Sequence, residues 1–171
     1  DTDRDYVEVC LEWDVILNGP GSEGPWPDCS EPLRTGWGLS SRKISDLRRF
    51  CEEIQDGDLV VLRLGTSDVF GVGVVVGGYL WNEAFGDVDG WELQHVRRVR
   101  WLWKYGETPM RFPPYTMKLG DTVQVLDAQP VIEWIKGLTI DEAAWTRPLK
   151  ELPAAPEEAT WQEIAEYLFD R

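Results

Sequence analysis

The sequence predicts an α+β domain: five or more short strands, with short helices between them, curled into a small and strongly curved sheet or barrel. Three observations carry this reading. Runs rich in Val, Leu and aromatic residues recur in the centre of the chain, at 59–65, 69–81 and 95–105. Glycines interrupt the middle run at Gly71, Gly73, Gly77 and Gly78, as in strands that bulge or approach another backbone closely. The segments between and beyond these runs carry short helical patterns with caps.

The first element spans 6–17. Val7, Val9, Leu11, Trp13, Val15 and Leu17 alternate with Glu8, Glu12 and Asp14, the pattern of a half-buried strand. A helix competes, because Tyr6, Val9, Cys10, Trp13, Ile16 and Leu17 also line one helical face. The β-branched content favours the strand. Residues 18–32 form a long Gly- and Pro-dense loop with Trp26 between two prolines. Ser45 is then placed to cap a short helix carrying Leu47, Phe50, Cys51 and Ile54, closed by the turn Asp56-Gly57-Asp58.

The three central strands follow. Gly65-Thr66-Ser67-Asp68 joins the first two, and a loop at 82–90, bracketed by Trp81 and Trp91, leads to the third. After a Pro-rich connection, 122–126 reads as a further strand and 130–137 as a short helix. "TIDEAAW" reads as a helix, and so does "TWQEIAEYLFDR", where Thr160 and Glu163 have the spacing of a capping box. The stretch between these two is an acidic, Pro-rich linker. The organisation is one domain over 1–150, with a linker and terminal helix over 151–171.

Composition narrows the function. The chain carries 31 acidic and 17 basic residues, a net charge of −14. The charge is uneven: residues 1–33 hold nine acids and one Arg, 106–171 hold twelve acids and six bases, and 34–105 hold ten of each. An acidic chain is a poor non-specific duplex binder, so any nucleic-acid selectivity must come from a pocket. No apolar run approaches the ~18 residues of a membrane span, so no membrane partner is expected. The polar first ten residues do not form a secretory signal, and the chain opens on Asp1 as a processed or excised piece would. Cys10, Cys29 and Cys51 are widely spaced and odd in number, the expectation being reduced, cytoplasmic thiols.

Motifs for catalysis are missing. A single His, His95, allows no His-pair metal site and there is no CxxC, so no metal is expected. The residues two places before the five lysines are Ser41, Leu102, Thr116, Trp134 and Pro148, which excludes the acid-x-Lys signature of Mg-dependent nucleases. There is no phosphate loop, and "GVGVVVGG" has neither the spacing nor the helix of a dinucleotide fingerprint. The expectation is a non-catalytic binder without a cofactor.

Ten tryptophans point to what it binds. Trp26, Trp37, Tyr79, Trp81, Phe85 and Trp91 lie in or beside loops at strand ends, where an aromatic cage could form around a flat ligand. Arg42 and Lys43, with Arg48 and Arg49, make one basic cluster; Arg97, Arg98 and Arg100 make another beside His95. On the strand starting at His95, alternation puts His95, Arg97, Val99 and Trp101 on one side and Val96, Arg98, Arg100 and Leu102 on the other. Val99 and Trp101 are expected to pack inward, and His95 and Arg97 to approach the pocket mouth. Arg98 and Arg100 meet either phosphate or water.

"GDLVVLRLGTSDVFGVGVVVGGYLW" followed by "HVRRVRWLW" resembles the EVE branch of the PUA-like superfamily. The resemblance rests on four features. Gly57-Asp58 opens a strand, and the strand Gly71 to Gly78 is glycine-interrupted with an aromatic after it. His95-x-Arg97-x-Val99-x-Trp101 has the matching spacing, and Gly36-Trp37-Gly38 resembles the Gly-Trp bordering that family's base pocket. It covers about residues 34–105, and the chain departs from the pattern in its acidity and its loop at 18–32. Such domains occur as N-terminal modules of McrB-like and other modification-dependent restriction proteins. The resemblance implies a PUA-like curved β-barrel of about five to six strands with short helices on its rim. It also implies a pocket for a flipped, modified base such as 5-methylcytosine. The related YTH domains read N6-methyladenine in RNA with a tryptophan cage, so either base fits the pattern. The expected partner is nucleic acid carrying a modified base, DNA before RNA, in a restriction or antiviral defence system. By the same analogy the C-terminal end leads to an effector, a GTPase or nuclease. The alternatives are a protein-interaction module or a free-nucleotide sensor on the same fold.

Overall fold

In the computed structural model, which describes residues 2–153, the chain begins with a helix, α1, over Thr2–Trp13. This corrects the strand expected over 6–17. Val7, Cys10, Leu11 and Asp14 are buried while Glu8 and Glu12 face solvent, a spacing of 3 and 4 residues that belongs to a helix. The apparent alternation arose because half-buried Val9 and Trp13 flank that stripe. Lys104 Nζ donates to Leu11 O at 3.0 Å, placing a cation at the helix C-terminus. Asp14 then turns the chain with a φ of 55°, and only Val15–Asn18 is strand, β1.

Helix α2 (Ser30–Thr35) ends the Gly/Pro loop, and α3 runs over Ser41–Arg48. The helix α3 starts earlier than expected: Ser40, not Ser45, is its cap and accepts from Lys43 N–H. It runs into a wider π-helical turn over Arg49–Glu53. The strands β2 (Leu59–Leu64), β3 (Asp68–Trp81) and β4 (His95–Lys104) fall where the apolar runs place them. A two-residue strand, β5 (Met110–Arg111), lies inside the Pro-rich connection. Helices α4 (Gln129–Lys136) and α5 (Glu142–Thr146) match the two expected ones.

The expected strand at 122–126 does not form. The Val123 N–H donates to Asp46 Oδ1 (2.8 Å) and its carbonyl accepts from Arg49 Nη1 (2.6 Å), so side chains take the groups a ladder would use. Val125 is 84% exposed, with no buried face to hold it in register. The expected helix with Thr160 and Glu163, and all but the first residues of the linker, lie outside the described residues.

The sheet is antiparallel and curled into half a barrel, in the order β1-β4-β3-β2, with β5 pairing the start of β3. Two bulges between β3 and β4 accompany the curvature: Leu102 of β4 is the extra residue opposite Val72 and Gly73, and Gly77 and Gly78 of β3 are extra opposite Arg98 and Arg97. Helix α1 crosses β4 above Trp101, whose indole N–H donates to Cys10 O at 3.0 Å. Gly71 and Gly73 make room for that indole: a Cβ at Gly71 would lie 3.0 Å from it, and one at Gly73 2.9 Å. The main core joins Val7, Leu11, Leu17, Leu62, Val96 and Val99. A second cluster gathers Val69, Val72, Met117 and Val131 under α4, and a third Cys29, Leu33, Ile44 and Leu47 under α3. All three cysteines are buried and free. No helix among the described residues is long and apolar enough to cross a membrane.

Candidate functional site

The pairing of β1, β4 and β3 sets Asn18, His95 and Trp81 in one row across the sheet, and Ile16, Arg97 and Tyr79 in another. The Gly/Pro loop after Asn18 folds back over these rows. Gly19 and Gly21 let it lie flat. A Cβ on Gly19 would stand 2.1 Å from Glu92 O, and one on Gly21 2.5 Å from Gln94 Oε1.

His95 is fully buried in this layer. Its Nε2 lies 3.1 Å from Pro20 O, which can only accept, so Nε2 carries the proton. Nδ1 is then an acceptor, 2.6 Å from Tyr79 Oη, and Tyr79 Oη itself accepts from Trp26 N–H at 3.0 Å. Burial lowers the His95 pKa to about 4 and pushes that of Tyr79 up, so the imidazole is neutral and the phenol is a donor. Arg97 is 1% exposed and donates to Phe50 O (3.0 Å), to Ile54 O and to Gly77 O (3.2 Å). The structure thus places His95 beneath the loop and Arg97 against the π-helical turn and Gly77, its terminal nitrogens donating to protein carbonyls.

The expected cage residues separate into two groups. Trp26, Tyr79 and Trp81 come together at the loop: Trp26 packs on the α3 cluster, and the Trp81 indole donates to Gly21 O at 2.8 Å. Trp37 joins them, its indole donating to Glu23 Oε1 at 2.9 Å while the ring stays 45% exposed. Trp91 is 59% exposed and precedes Glu92, whose carbonyl accepts from Gly21 N–H (3.0 Å) and whose carboxylate accepts from Ser22 Oγ (2.6 Å). Phe85 is elsewhere, 3% exposed in the main core and edge-on to Trp13 at 6.5 Å.

Among the expected phosphate contacts, Arg42 is solvent-facing and pairs with Asp121 at 2.6 Å. Lys43 Nζ reaches Asn18 Oδ1 (3.0 Å) and Asp46 Oδ2 (3.1 Å). Asp46, 1% exposed, also accepts from Asn18 Nδ2 at 3.1 Å, so this carboxylate ties β1 and α3 to the 121–123 segment. Arg98 donates to Lys150 O, and Arg100 to Arg147 O at 2.6 Å and Ala144 O at 3.4 Å, so both hold the α5 segment against the sheet.

Sequence reasoning passed over Asn18, Asp46, Glu92 and Gln94. Asn18 carried a signal, as a polar residue ending an apolar strand before Gly-Pro-Gly. Asp46 did too, standing between the apolar Ile44 and Leu47.

Among the described residues, two surface clefts stand out. One of about 680 Å³ lies between β2, the π-helical turn and the 122–128 segment, with Leu59, Phe50, Ile54 and Val125 among its walls. The other, about 390 Å³, is lined by Trp13, Phe85 and the carboxylates of Glu8, Glu12, Asp87 and Asp89. Trp26, Trp37, Tyr79, Trp81 and Trp91 line neither. Among the described residues no three His, Cys, Asp or Glu side chains converge as metal ligands would.

Residues 8–114 match the profile of a family described as a domain of unknown function, DUF8426. No curated protein matches, and no solved structure does.

Proposed function

We propose that this chain, which belongs to the DUF8426 family, is a non-catalytic recognition module of the PUA-like kind. It takes one modified base, rotated out of a nucleic acid, against the aromatic surface around the 19–26 loop. The observation that carries this reading is the placing of two exposed indoles about one short turn. Trp37 is bonded to Glu23, and Trp91 adjoins Glu92, which is bonded to Gly21 and Ser22. Exposed apolar surface that is contiguous and rimmed by polar residues is the signature of a contact site. The floor beneath, Tyr79 and His95, is tied together by the hydrogen bond between them.

Energetics favour a base. Stacking on an indole contributes about 1–3 kcal/mol, and rotating a base out of a duplex costs a few kcal/mol, so two indoles suffice to offset that cost. The acidic surface suppresses binding to unmodified polymer. The curled five-stranded sheet with short helices is compatible with a PUA-like barrel. The polymer we propose is DNA, and the setting is modification-dependent defence with a GTPase or nuclease effector; both rest on the resemblance to restriction modules.

The test is a low-salt titration of oligonucleotides carrying 5-methylcytosine, N6-methyladenine or no modification. One modified base is expected to bind at least about tenfold more tightly than the plain strand, with the preference lost in Trp37→Ala and Trp91→Ala. Equal affinity for all strands overturns the reading. Equal binding of the free mononucleotide favours a nucleotide sensor instead.

A further inference from the structure

Four buried side-chain atoms among the described residues have no hydrogen-bond partner: Trp26 Nε1, Gln94 Oε1, Arg97 Nε and Arg98 Nε. The two arginines still donate from their other nitrogens. The Trp26 and Gln94 atoms are different. Each is the only one of its kind on its side chain, a lone indole donor and a lone amide acceptor, and both belong to the layer around the 19–26 loop.

Gln94 immediately precedes β4 and is 2% exposed. Its backbone is fixed, the carbonyl accepting from Asn82 N–H at 2.9 Å. Its amide stands between two glycines. A Cβ on Gly21 would be 2.5 Å from Oε1, and one on Gly86 3.0 Å from Nε2. Gly21 comes from the turn that joins Trp37 to Trp91, and Gly86 from the 3₁₀ turn that follows Trp81. A buried acceptor without a donor is a cost that proteins seldom tolerate without a use.

On the base-binding reading above, we infer that Gln94 is the specificity-determining residue of the site, its Oε1 accepting a hydrogen bond from the exocyclic amino group of the bound base. The ligand class is thereby an amino-bearing base, cytosine-like or adenine-like. Thymine-like and hypoxanthine-like bases present a carbonyl at that position, which would face the Gln94 oxygen acceptor to acceptor. The oxygen is closed to water while Gly21 lies on it. The ligand's donor therefore reaches it as the Gly21–Glu23 turn lifts, and that turn is held by two hydrogen bonds to Glu92 and one each to Trp81 and Trp37.

The test compares strands that differ only in the amino group. The whole chain is titrated with single-stranded DNA bearing one 5-methylcytosine or, at the same place, thymine, which keeps the ring and the methyl and replaces the amine by a carbonyl. A second pair sets N6-methyladenine against N6,N6-dimethyladenine, which has no N–H left. The strand with the N–H is expected to bind at least about tenfold tighter in one of the two pairs. In Gln94→Met that ratio is expected to fall toward one, with no loss of thermal stability, because an unpaired acceptor has been removed. A purely packing role predicts a destabilised variant with an unchanged ratio. Thymine bound as well as or better than 5-methylcytosine, with no preference in the adenine pair and binding still sensitive to Trp37→Ala, overturns the role of Gln94 and leaves the base reading standing. Absence of binding to every strand overturns both. The comparison on the unaltered chain is decisive even if Gln94→Met does not fold.

Discussion

Tyr79 Oη lies 2.6 Å from His95 Nδ1, and the proton between them belongs to the tyrosine. Protonating His95 would put a second N–H against that phenol and a buried charge beneath the loop. Burial holds the His95 pKa at about 4, below the ordinary 6.5. The unfolded chain therefore binds the extra proton first, and stability present above pH 6.5 is lost as pH falls toward 4. The span corresponds to at most about 3 kcal/mol. Urea unfolding of the native chain and of His95→Gln at pH 7, 5.5 and 4 checks this. The native chain should lose stability more steeply than the variant.

Arg97 is a positioning residue for the fold. It gathers the carbonyls of Phe50, Ile54 and Gly77, binding the end of the α3 segment to the sheet. Arg97→Met leaves those oxygens unpaired and should cost about 3 kcal/mol. Arg97→Lys recovers only part, because one ammonium cannot reproduce the planar fork. Denaturant midpoints order the three proteins.

The β3 glycines should respond differently to alanine. At Gly73 a Cβ would stand 2.5 Å from Val99 Cγ1 and 2.7 Å from Arg100 O, so β3 and β4 must shift, at about 2–3 kcal/mol. At Gly77 nothing lies within 4 Å, and the cost is the left-handed backbone alone (φ 77°), about 1–2 kcal/mol. Thermal unfolding of both variants tests the order, and a larger loss at Gly77 would refute it.

Trp37→Ala and Trp91→Ala should leave stability within about 0.5 kcal/mol, as exposed side chains do. Each should still weaken binding of the preferred modified strand about tenfold. Chemical unfolding and anisotropy on the same preparations separate the two effects. Phe85→Ala, in contrast, should cost about 3 kcal/mol of stability because it empties the core beside Trp13.

The three long strands were legible because their patterns admit one reading: runs rich in Val, Leu and aromatics bounded by turns, with the middle one punctuated by glycine. Residues 6–17 were not, since Val7, Cys10, Leu11 and Asp14 form a helical stripe only once Val9 and Trp13 are known to be half-buried. Residues 122–126 misled in the other direction. Their alternation is real, but Asp46 and Arg49, far away in the chain, capture the backbone. The inward packing of Val99 and Trp101 was readable from alternation. The partners of the arginines were not, because nothing in "HVRRVRWLW" shows which carbonyls will lie opposite.

One detail of the first strand reaches beyond this chain. Tyr6 Oη donates to Leu17 O at 2.9 Å and receives Leu17 N–H at 3.4 Å, so a single phenol answers both outward groups of a residue on the sheet's border. A border left bare invites another molecule to zip onto it, the first step toward fibres. With that seat taken from within, copies of the protein crowded together have one less place to lock onto each other.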